Sequence, residues 1–178
     1  MDQWAFFDEF KAGTVRNVYL FYGPEAYIRK SALATLQKKL LMPGLEAMNC
    51  TFMQSPSAQQ IIENCETLPM MGDWRLVVVQ GLELLENGKV KDEAQESAAL
   101  CAYLPRVPQT TCLIFECETP DKRKKLCQTL MKLPGAVSFD SFDEIADYLR
   151  KEAGPNDLVL TLGAGNINEV GPMLIKNK

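Results

Sequence analysis

Residues 18–30, VYLFYGPEAYIRK, have the outline of a strand followed by a phosphate-binding loop and a helix. A working loop of this kind needs glycines whose backbone N–H groups surround a phosphate, then a lysine, and then a hydroxyl for the metal. Counted from Gly23, the second glycine is replaced by Ile28. The lysine and hydroxyl positions hold Arg29 and Lys30. The sequence therefore predicts the scaffold of a nucleotide-binding domain with a degenerate, non-functional loop at Gly23, Arg29 and Lys30.

Length and composition predict a globular protein with one domain, or with one domain plus a fragment. The chain of 178 residues is long enough to bury a core, and 47% hydrophobic and 24% charged residues are ordinary values. A net charge of -4 disfavours a surface that follows a nucleic acid backbone by itself, because such surfaces are strongly basic. The sequence has neither the form of a signal peptide nor an apolar run that could span a bilayer, so we expect a cytoplasmic protein without membrane contact.

The residue types available for chemistry are limited. Histidine is absent, which excludes imidazole catalysis, Ser-His-Asp triads and histidine-ligated zinc. The six cysteines form no CxxC pair, so we expect buried reduced thiols. Asp140, Asp143, Glu144 and Asp147 could form a paired-carboxylate site, although a helix start with a solvated face is the favoured interpretation. We therefore predict no catalytic residue, no metal site and no cofactor.

Strand and helix patterns alternate along the chain. This alternation predicts a three-layer α/β fold, in which a mostly parallel sheet carries helices on both faces. Strands are predicted at residues 17–22, 49–53, 75–80, 111–117, 136–139 and 158–162. Helical spacing and capping patterns predict helices at residues 28–41, after Ser57, at 93–104, and at 122–132 behind a cap formed by residues 119–121. Residues 133–135 form a turn signal that suits either a loop or a domain edge.

Two segments resemble binding motifs but have a structural interpretation that is favoured. Residues 122–125, KRKK, are the densest basic cluster. Consecutive helical residues point in different directions, so a solvated helix start is favoured over contact with DNA. Gly163 and Gly165 follow the predicted strand at 158–162 and could bind an anion before a helix, whereas a tight turn is the favoured alternative.

The segment at residues 67–75, TLPMMGDWR, is more unusual because three large apolar residues lie beside a proline at the end of a helix. In one interpretation Leu68, Met70 and Met71 close over the core. In the other they form a protruding apolar plug, because methionine adapts its shape to a receiving pocket and loop tips present binding residues. The sequence leaves both interpretations open.

With these segments in view, residues 17 to about 135 resemble the N-terminal domain of the delta subunit of the bacterial DNA polymerase III clamp loader. The resemblance rests on the order and spacing of four segments, at residues 18–32, 66–79, 103–115 and 121–126. It implies a P-loop-NTPase-like (AAA+-like) fold without ATPase function. It also implies a DNA replication protein that is not an enzyme by itself, whose partners are the sliding clamp and other clamp-loader subunits, and which contacts DNA indirectly.

The resemblance also implies a binding site. In that family, hydrophobic residues at the turn before the third strand enter a pocket on the ring-shaped sliding clamp and pry one interface open. Carried over to this chain, the clamp-binding role falls on Leu68, Pro69, Met70 and Met71. Large aromatic residues are common there in the family, whereas this chain has two methionines.

Residues 141 to about 176 resemble a different protein, the C-terminal end of UDP-N-acetylmuramate:L-alanine ligase. That cell-wall enzyme needs an ATP loop, a central domain and metal-binding residues upstream, which this sequence does not supply. We therefore predict a delta-like clamp-binding domain at residues 1–135 and a ligase-like strand and helix tail at 136–178, packed on the same sheet. The alternative function is a nucleotide-binding or ligase-derived module related to peptidoglycan synthesis.

Overall fold

Five parallel strands form the centre of the computed structural model, which describes residues 1–87, 92–139, 153–154 and 170–175. The strands are β1 (Val18–Tyr22), β2 (Cys50–Gln54), β3 (Arg75–Gln80), β4 (Thr111–Cys117) and β5 (Ala136–Ser138). They lie in the order β2-β3-β4-β1-β5, and all pairings between these strands are parallel. Parallel neighbours require crossover connections, which the helices supply.

The helices lie on both faces of this sheet. In chain order they are α1 (Gln3–Lys11), α2 (Ala26–Leu40), α3 (Glu46–Asn49), α4 (Ala58–Glu66), α5 (Glu93–Tyr103), the 3-10 helix η1 (Leu104–Arg106) and α6 (Lys125–Met131). Helices α1 and α2 share one buried apolar cluster with the sheet, and α4, α5 and α6 share the other. The predicted three-layer α/β fold is thus confirmed. Among the described residues, no helix is long and apolar enough to cross a membrane.

The central strands are apolar throughout because both of their faces are covered. In β3, Leu76 and Val78 pack against the α1 and α2 side. Val77 and Val79 point the other way and pack against the α4, α5 and α6 side. All four side chains are completely buried. A continuous apolar run in the sequence is therefore two alternating sets of core residues in the structure.

An aromatic cluster fixes α1, a helix that the sequence analysis did not identify. The Phe6 ring is almost fully buried and lies 5.8 Å from the Tyr19 ring and 5.3 Å from the Phe21 ring, centre to centre. The Asp2 side chain caps the helix by accepting a hydrogen bond from the Ala5 N–H at 2.8 Å. Packing against β1, more than the helix's own propensity, therefore determines its position.

One predicted helix boundary is wrong. The helix expected at residues 122–132 begins only at Lys125. The Asp121 carboxylate instead accepts hydrogen bonds from the Arg123 backbone N–H at 3.0 Å and from its guanidinium at 2.9 Å. Lys124 N–H also donates to the Asp121 carbonyl at 3.0 Å. Asp121 thus stabilises a turn ahead of the helix, where the sequence had suggested a helical first turn.

The chain divides into two compact units, Met1–Phe139 and Asp140–Lys178. The first contains the five strands of the described residues, and the predicted division between residues 135 and 136 falls inside it. In the second unit the described residues include a helix, α7 (Val170–Ile175). The strand predicted at 158–162, the glycine turn at 163–165 and the acidic group at residues 140, 143, 144 and 147 lie outside the described residues.

We predict that Phe6→Ala destabilises the protein strongly, whereas Trp4→Ala does not. Phe6 is 2% exposed in the aromatic cluster, and Trp4, on the same helix, is 56% exposed. Truncating a buried phenylalanine costs about 3–5 kcal/mol, while an exposed substitution changes stability by less than about 0.5 kcal/mol. Urea unfolding of both variants measures the difference. Equal losses for both would show that α1 is not anchored through Phe6.

Candidate functional site

The two candidate segments lie at opposite edges of the sheet. The loop with Gly23 follows β1, so it lies at the edge formed by the carboxyl ends of the strands. Residues 67–74, which we name the 67–74 turn, precede β3 and lie at the edge formed by the amino ends. Because the strands are parallel, these are two separate surfaces.

At the carboxyl edge, backbone N–H groups of the degenerate loop bond to carbonyl groups of the protein itself, where a working loop would bond to a phosphate. The Gly23 N–H donates to the Glu118 carbonyl at 3.1 Å, and the Glu25 N–H donates to the Phe139 carbonyl at 3.2 Å. Gly23 has a φ of +116°, and a Cβ added there would clash with the Phe139 backbone. Glycine is therefore required for close packing of two backbone segments, and its N–H is already bonded.

Arg29, which stands at the lysine position of the loop, is directed into the protein. It is 6% exposed, and its guanidinium donates to the Gly23 carbonyl and to the Glu116 carboxylate, with Nε 3.4 Å from Oε1. Gln80 Nε2 donates to the other oxygen of Glu116 at 2.7 Å. A buried charge is stable only when it is paired and hydrogen bonded, as here. Gly23 and Arg29 are thus brought together, while the Lys30 side chain is exposed.

At the amino edge, the 67–74 turn exposes its large apolar side chains. Leu68 is 76% exposed, Met70 is 56% exposed and Met71 is 77% exposed, with Pro69 partly buried between them. Of the two interpretations left open by the sequence, the one in which these residues close over the core is wrong. The structure places all four predicted residues on one surface segment. Their role in binding a clamp remains a prediction.

A buried asparagine holds this turn, and sequence analysis did not single it out. Asn49 is 1% exposed and ends α3. Its Oδ1 accepts a hydrogen bond from the Met70 N–H at 2.7 Å, and its Nδ2 donates to the Met70 carbonyl at 2.9 Å. Both backbone groups of Met70 are therefore satisfied by one side chain. An isolated asparagine gives no sequence signal for such a role.

Arg75 joins the turn to the elements around it. It is buried, and its Nε donates to the Asn64 carbonyl at 2.7 Å near the end of α4. Its two terminal nitrogens donate to the Met48 carbonyl at 3.3 Å and to the Thr51 hydroxyl at 3.0 Å. The guanidinium thus connects α4, α3 and β2. Carbonyl groups at helix carboxyl ends carry partial negative charge, which favours a cation at this place.

Two of the four residues of the basic cluster at residues 122–125 pair with groups of the protein itself. Arg123 pairs with Asp121 at 2.8 Å, and its hydrogen bonds lower the pKa of the Asp121 carboxyl to about 2. Lys124 donates to the Glu83 carbonyl at 2.7 Å and lies 3.3 Å from the Glu93 carboxylate. These contacts disfavour a DNA-binding stripe, and the predicted solvated helix start is a turn that leads into the helix at Lys125.

The fold and these two edges define a three-layer α/β domain with a five-stranded parallel sheet. The family model of the DNA polymerase III delta subunit matches residues 19–139. The chain belongs to the DNA polymerase III delta subunit family, a family of the DNA replication machinery. It is 30% identical over 127 residues to the DNA polymerase III subunit delta of Bacillus subtilis, a match that covers 68% of this chain and 37% of that protein.

Solved structures show the same fold. The Bacillus subtilis DNA clamp loader delta protein superposes with a TM-score of 0.72 at 24% identity, over 84% of this chain and 46% of that chain. A DNA polymerase III gamma subunit-related protein from Thermotoga maritima gives a TM-score of 0.50 at 13% identity, over 86% of this chain and 51% of that chain. The chain thus spans about half of the length of these two solved chains, and 37% of the Bacillus subtilis delta subunit.

Short matches to a different enzyme are also found. The chain is 44% identical over 43 residues to the UDP-N-acetylmuramate–L-alanine ligase of Acetivibrio thermocellus, which is 24% of this chain and 9% of the ligase. It is 48% identical over 40 residues to the same ligase of Clostridium tetani, which is 22% of this chain and 9% of the ligase. These matches are consistent with the resemblance of the tail.

We predict that ATP does not bind at the loop after β1. The N–H groups of Gly23 and Glu25 are bonded to protein carbonyls, and Arg29 is paired with Glu116. A ligand at a hundredfold excess over its dissociation constant stabilises a protein by about 2.7 kcal/mol, which thermal unfolding detects. We expect no such shift with Mg-ATP. Stabilisation that Arg29→Ala or Lys30→Ala abolishes would contradict this expectation.

We predict that Asn49→Ala loosens the 67–74 turn without unfolding the sheet. The change removes two hydrogen bonds and leaves the Met70 N–H and carbonyl unpaired at a partly buried site, which costs about 1–3 kcal/mol. Hydrogen exchange at the Met70 amide should accelerate while the amides of β3 stay protected. Gln59→Ala, an exposed change on α4, is the control. Unchanged exchange at Met70 would show that Asn49 does not position the turn.

Proposed function

We propose that this chain binds the sliding clamp of bacterial DNA replication through the 67–74 turn, as a non-catalytic delta-like subunit. One observation carries the proposal: a member of the delta subunit family presents Leu68, Met70 and Met71 to solvent on a turn whose backbone Asn49 holds in place. Contiguous large apolar side chains at the surface are typical of interaction sites.

The energetics of such a plug support this role. Burying one large apolar side chain in a pocket contributes about 1.5–3 kcal/mol, so two anchors can dominate a modest interface. A turn that is fixed before binding loses less conformational entropy on docking. The two hydrogen bonds from Asn49 to Met70 supply that fixation. Methionine side chains, which are flexible and polarisable, can then adapt to the receiving pocket.

The backbone at Met71 gives independent support. Its φ is +55°, in the left-handed region that residues with a Cβ adopt at a cost of order 1–3 kcal/mol. The strained residue is also the most exposed large apolar side chain of the turn, at 77%. Strained backbone is found at binding and active sites, where the surrounding structure holds it. We infer that the strain at Met71 is tolerated because it directs the side chain outward.

The further partners follow from the family and from charge. We propose that the chain works in the cytoplasm with other clamp-loader subunits, opens the clamp, and contacts DNA through its partners. The net charge of -4 supports indirect contact, because a surface that binds phosphates by itself is basic. The ligase-like matches cover 9% of either ligase, so they favour a structural segment over a second activity. Titration with ATP and UDP-sugars tests that alternative, which requires binding of at least one of them.

We predict that the double variant Leu68→Ser, Met70→Ser binds the sliding clamp of the same organism at least tenfold more weakly. A tenfold change corresponds to about 1.4 kcal/mol, less than the burial of one such side chain contributes. The melting temperature should stay nearly unchanged, because both side chains are exposed. Surface-immobilised clamp and calorimetry measure the affinity and the stability.

Tyr27→Ser is the matched control for this experiment. Tyr27 is 66% exposed on α2, in the first turn of the helix that follows the loop at the carboxyl edge. Its replacement removes an equally exposed apolar side chain from the other edge of the sheet, so clamp affinity should not change. A collapse of stability in the turn variant, with unaltered clamp affinity per folded molecule, would remove the assignment of the turn as the binding site.

A further inference from the structure

Two more exposed methionines lie beside the 67–74 turn. Met42 is 51% exposed and Met48 is 54% exposed. Both belong to the connection between α2 and β2, which enters the sheet at the amino end of β2. Strand β2 pairs with β3, which the turn precedes, so the connection and the turn reach the sheet side by side. Four of the eight methionines in the sequence are therefore exposed on these two adjacent segments.

Contacts join the two segments. The Met42 sulfur lies 3.9 Å from the position that a Cβ on Gly72 would occupy, so it borders the turn directly. The Met48 carbonyl accepts a hydrogen bond from Arg75 at 3.3 Å. Met48 also precedes Asn49, which makes both hydrogen bonds to Met70. Two buried side chains thus hold one methionine backbone in each segment: Asn49 bonds to Met70, and Arg75 bonds to Met48.

Interface size argues that the turn does not act alone. A specific protein–protein interface buries about 800 Å² on each partner, which the few side chains of one turn cannot supply. Side chains around a central anchor contribute by excluding water from it. The Met42 sulfur and the Met70 carbonyl oxygen each lie 3.9 Å from the position that a Cβ on Gly72 would occupy, so a partner that receives the Met70 side chain would meet Met42 beside the turn.

We infer that Met42 and Met48 form the second half of the docking surface for the sliding clamp, flanking the anchors of the turn. This inference rests on the proposed function, since the occupant is the same clamp. The surface consists of exposed apolar side chains from two adjacent segments of the chain. It extends from the turn toward α2, and its methionines adapt to the clamp surface around the pocket.

The double variant Met42→Ser, Met48→Ser in the full chain tests this inference. We expect its dissociation constant for the clamp to rise about tenfold, with an unchanged melting temperature because both side chains are half exposed. Trp4→Ser is the matched control, since Trp4 is 56% exposed on α1, which contacts β5 at the opposite side edge of the sheet. Its clamp affinity should equal that of the parent protein.

A second measurement uses the unmodified chain and does not depend on any variant folding. Brief oxidation by hydrogen peroxide transfers one oxygen to a methionine sulfur and releases water, so mass spectrometry reports how accessible each sulfur is. We expect bound clamp to slow the oxidation of Met42, Met48, Met70 and Met71 severalfold. Oxidation of Met70 and Met71 slowed by the clamp, with Met42 and Met48 oxidised at the free rate, would overturn the inference.

The results separate failure of this inference from failure of the proposed function. Weakened binding in the Leu68→Ser, Met70→Ser variant together with full binding in the Met42→Ser, Met48→Ser variant would overturn the larger surface and leave the turn as the site. Full binding by both variants would overturn both. Weakened binding by both, with protection of all four methionines, supports the larger surface.

Discussion

Burial of the sheet on both faces is the constraint on which the remaining structure depends. Strand β3 contributes alternate side chains to two separate cores, and helices close over each of them. Backbone groups inside such a sheet must all be paired, so the strands offer little surface to a partner. The segments that link strands to helices lie at the two strand-end edges. Binding residues are concentrated there, because loops on a rigid scaffold can change without disturbing the core.

The two edges use charged and polar side chains in opposite ways. At the carboxyl edge, Arg29 and Glu116 satisfy each other, and neighbouring carbonyls take up the backbone N–H groups of the loop. These particular groups are directed inward and hold the protein together. At the amino edge, Asn49 and Arg75 are also buried, but the backbone that they hold carries apolar side chains outward. A scaffold with the outline of a nucleotide-binding domain thus has most of the exposed large apolar side chains of its described residues at the edge away from the degenerate loop.

Some of these features could be predicted from sequence, and others depend on tertiary contacts. Strands such as β3 were predictable because an apolar run of this length has few other conformations in an α/β pattern. Helix α1 was missed because its position depends on packing of Phe6 against Tyr19 and Phe21. The late start of α6 reflects a local competition in which Asp121 stabilises a turn. The degenerate loop was recognisable, but the burial of Arg29 against Glu116 pairs residues that are distant in sequence.

The exposure of Leu68, Met70 and Met71 could not be predicted from the sequence pattern of the turn. Apolar residues after a helix can fold back on the core or point to solvent, and the sequence pattern is the same in both cases. The structure settles their direction through Asn49, whose side chain bonds to the backbone of Met70. No local pattern marks an asparagine that acts across this distance.

Asn49 recognises Met70 only through main-chain atoms, and this has a consequence for evolution and engineering. Asn49 would form the same two hydrogen bonds with any residue other than proline at position 70, because it contacts only the backbone N–H and carbonyl there. Substitutions there can change what the turn recognises while its shape is inherited unaltered. The side chains of the turn can therefore be exchanged on a backbone that stays the same. Specificity for a partner can then evolve, or be redesigned, separately from folding.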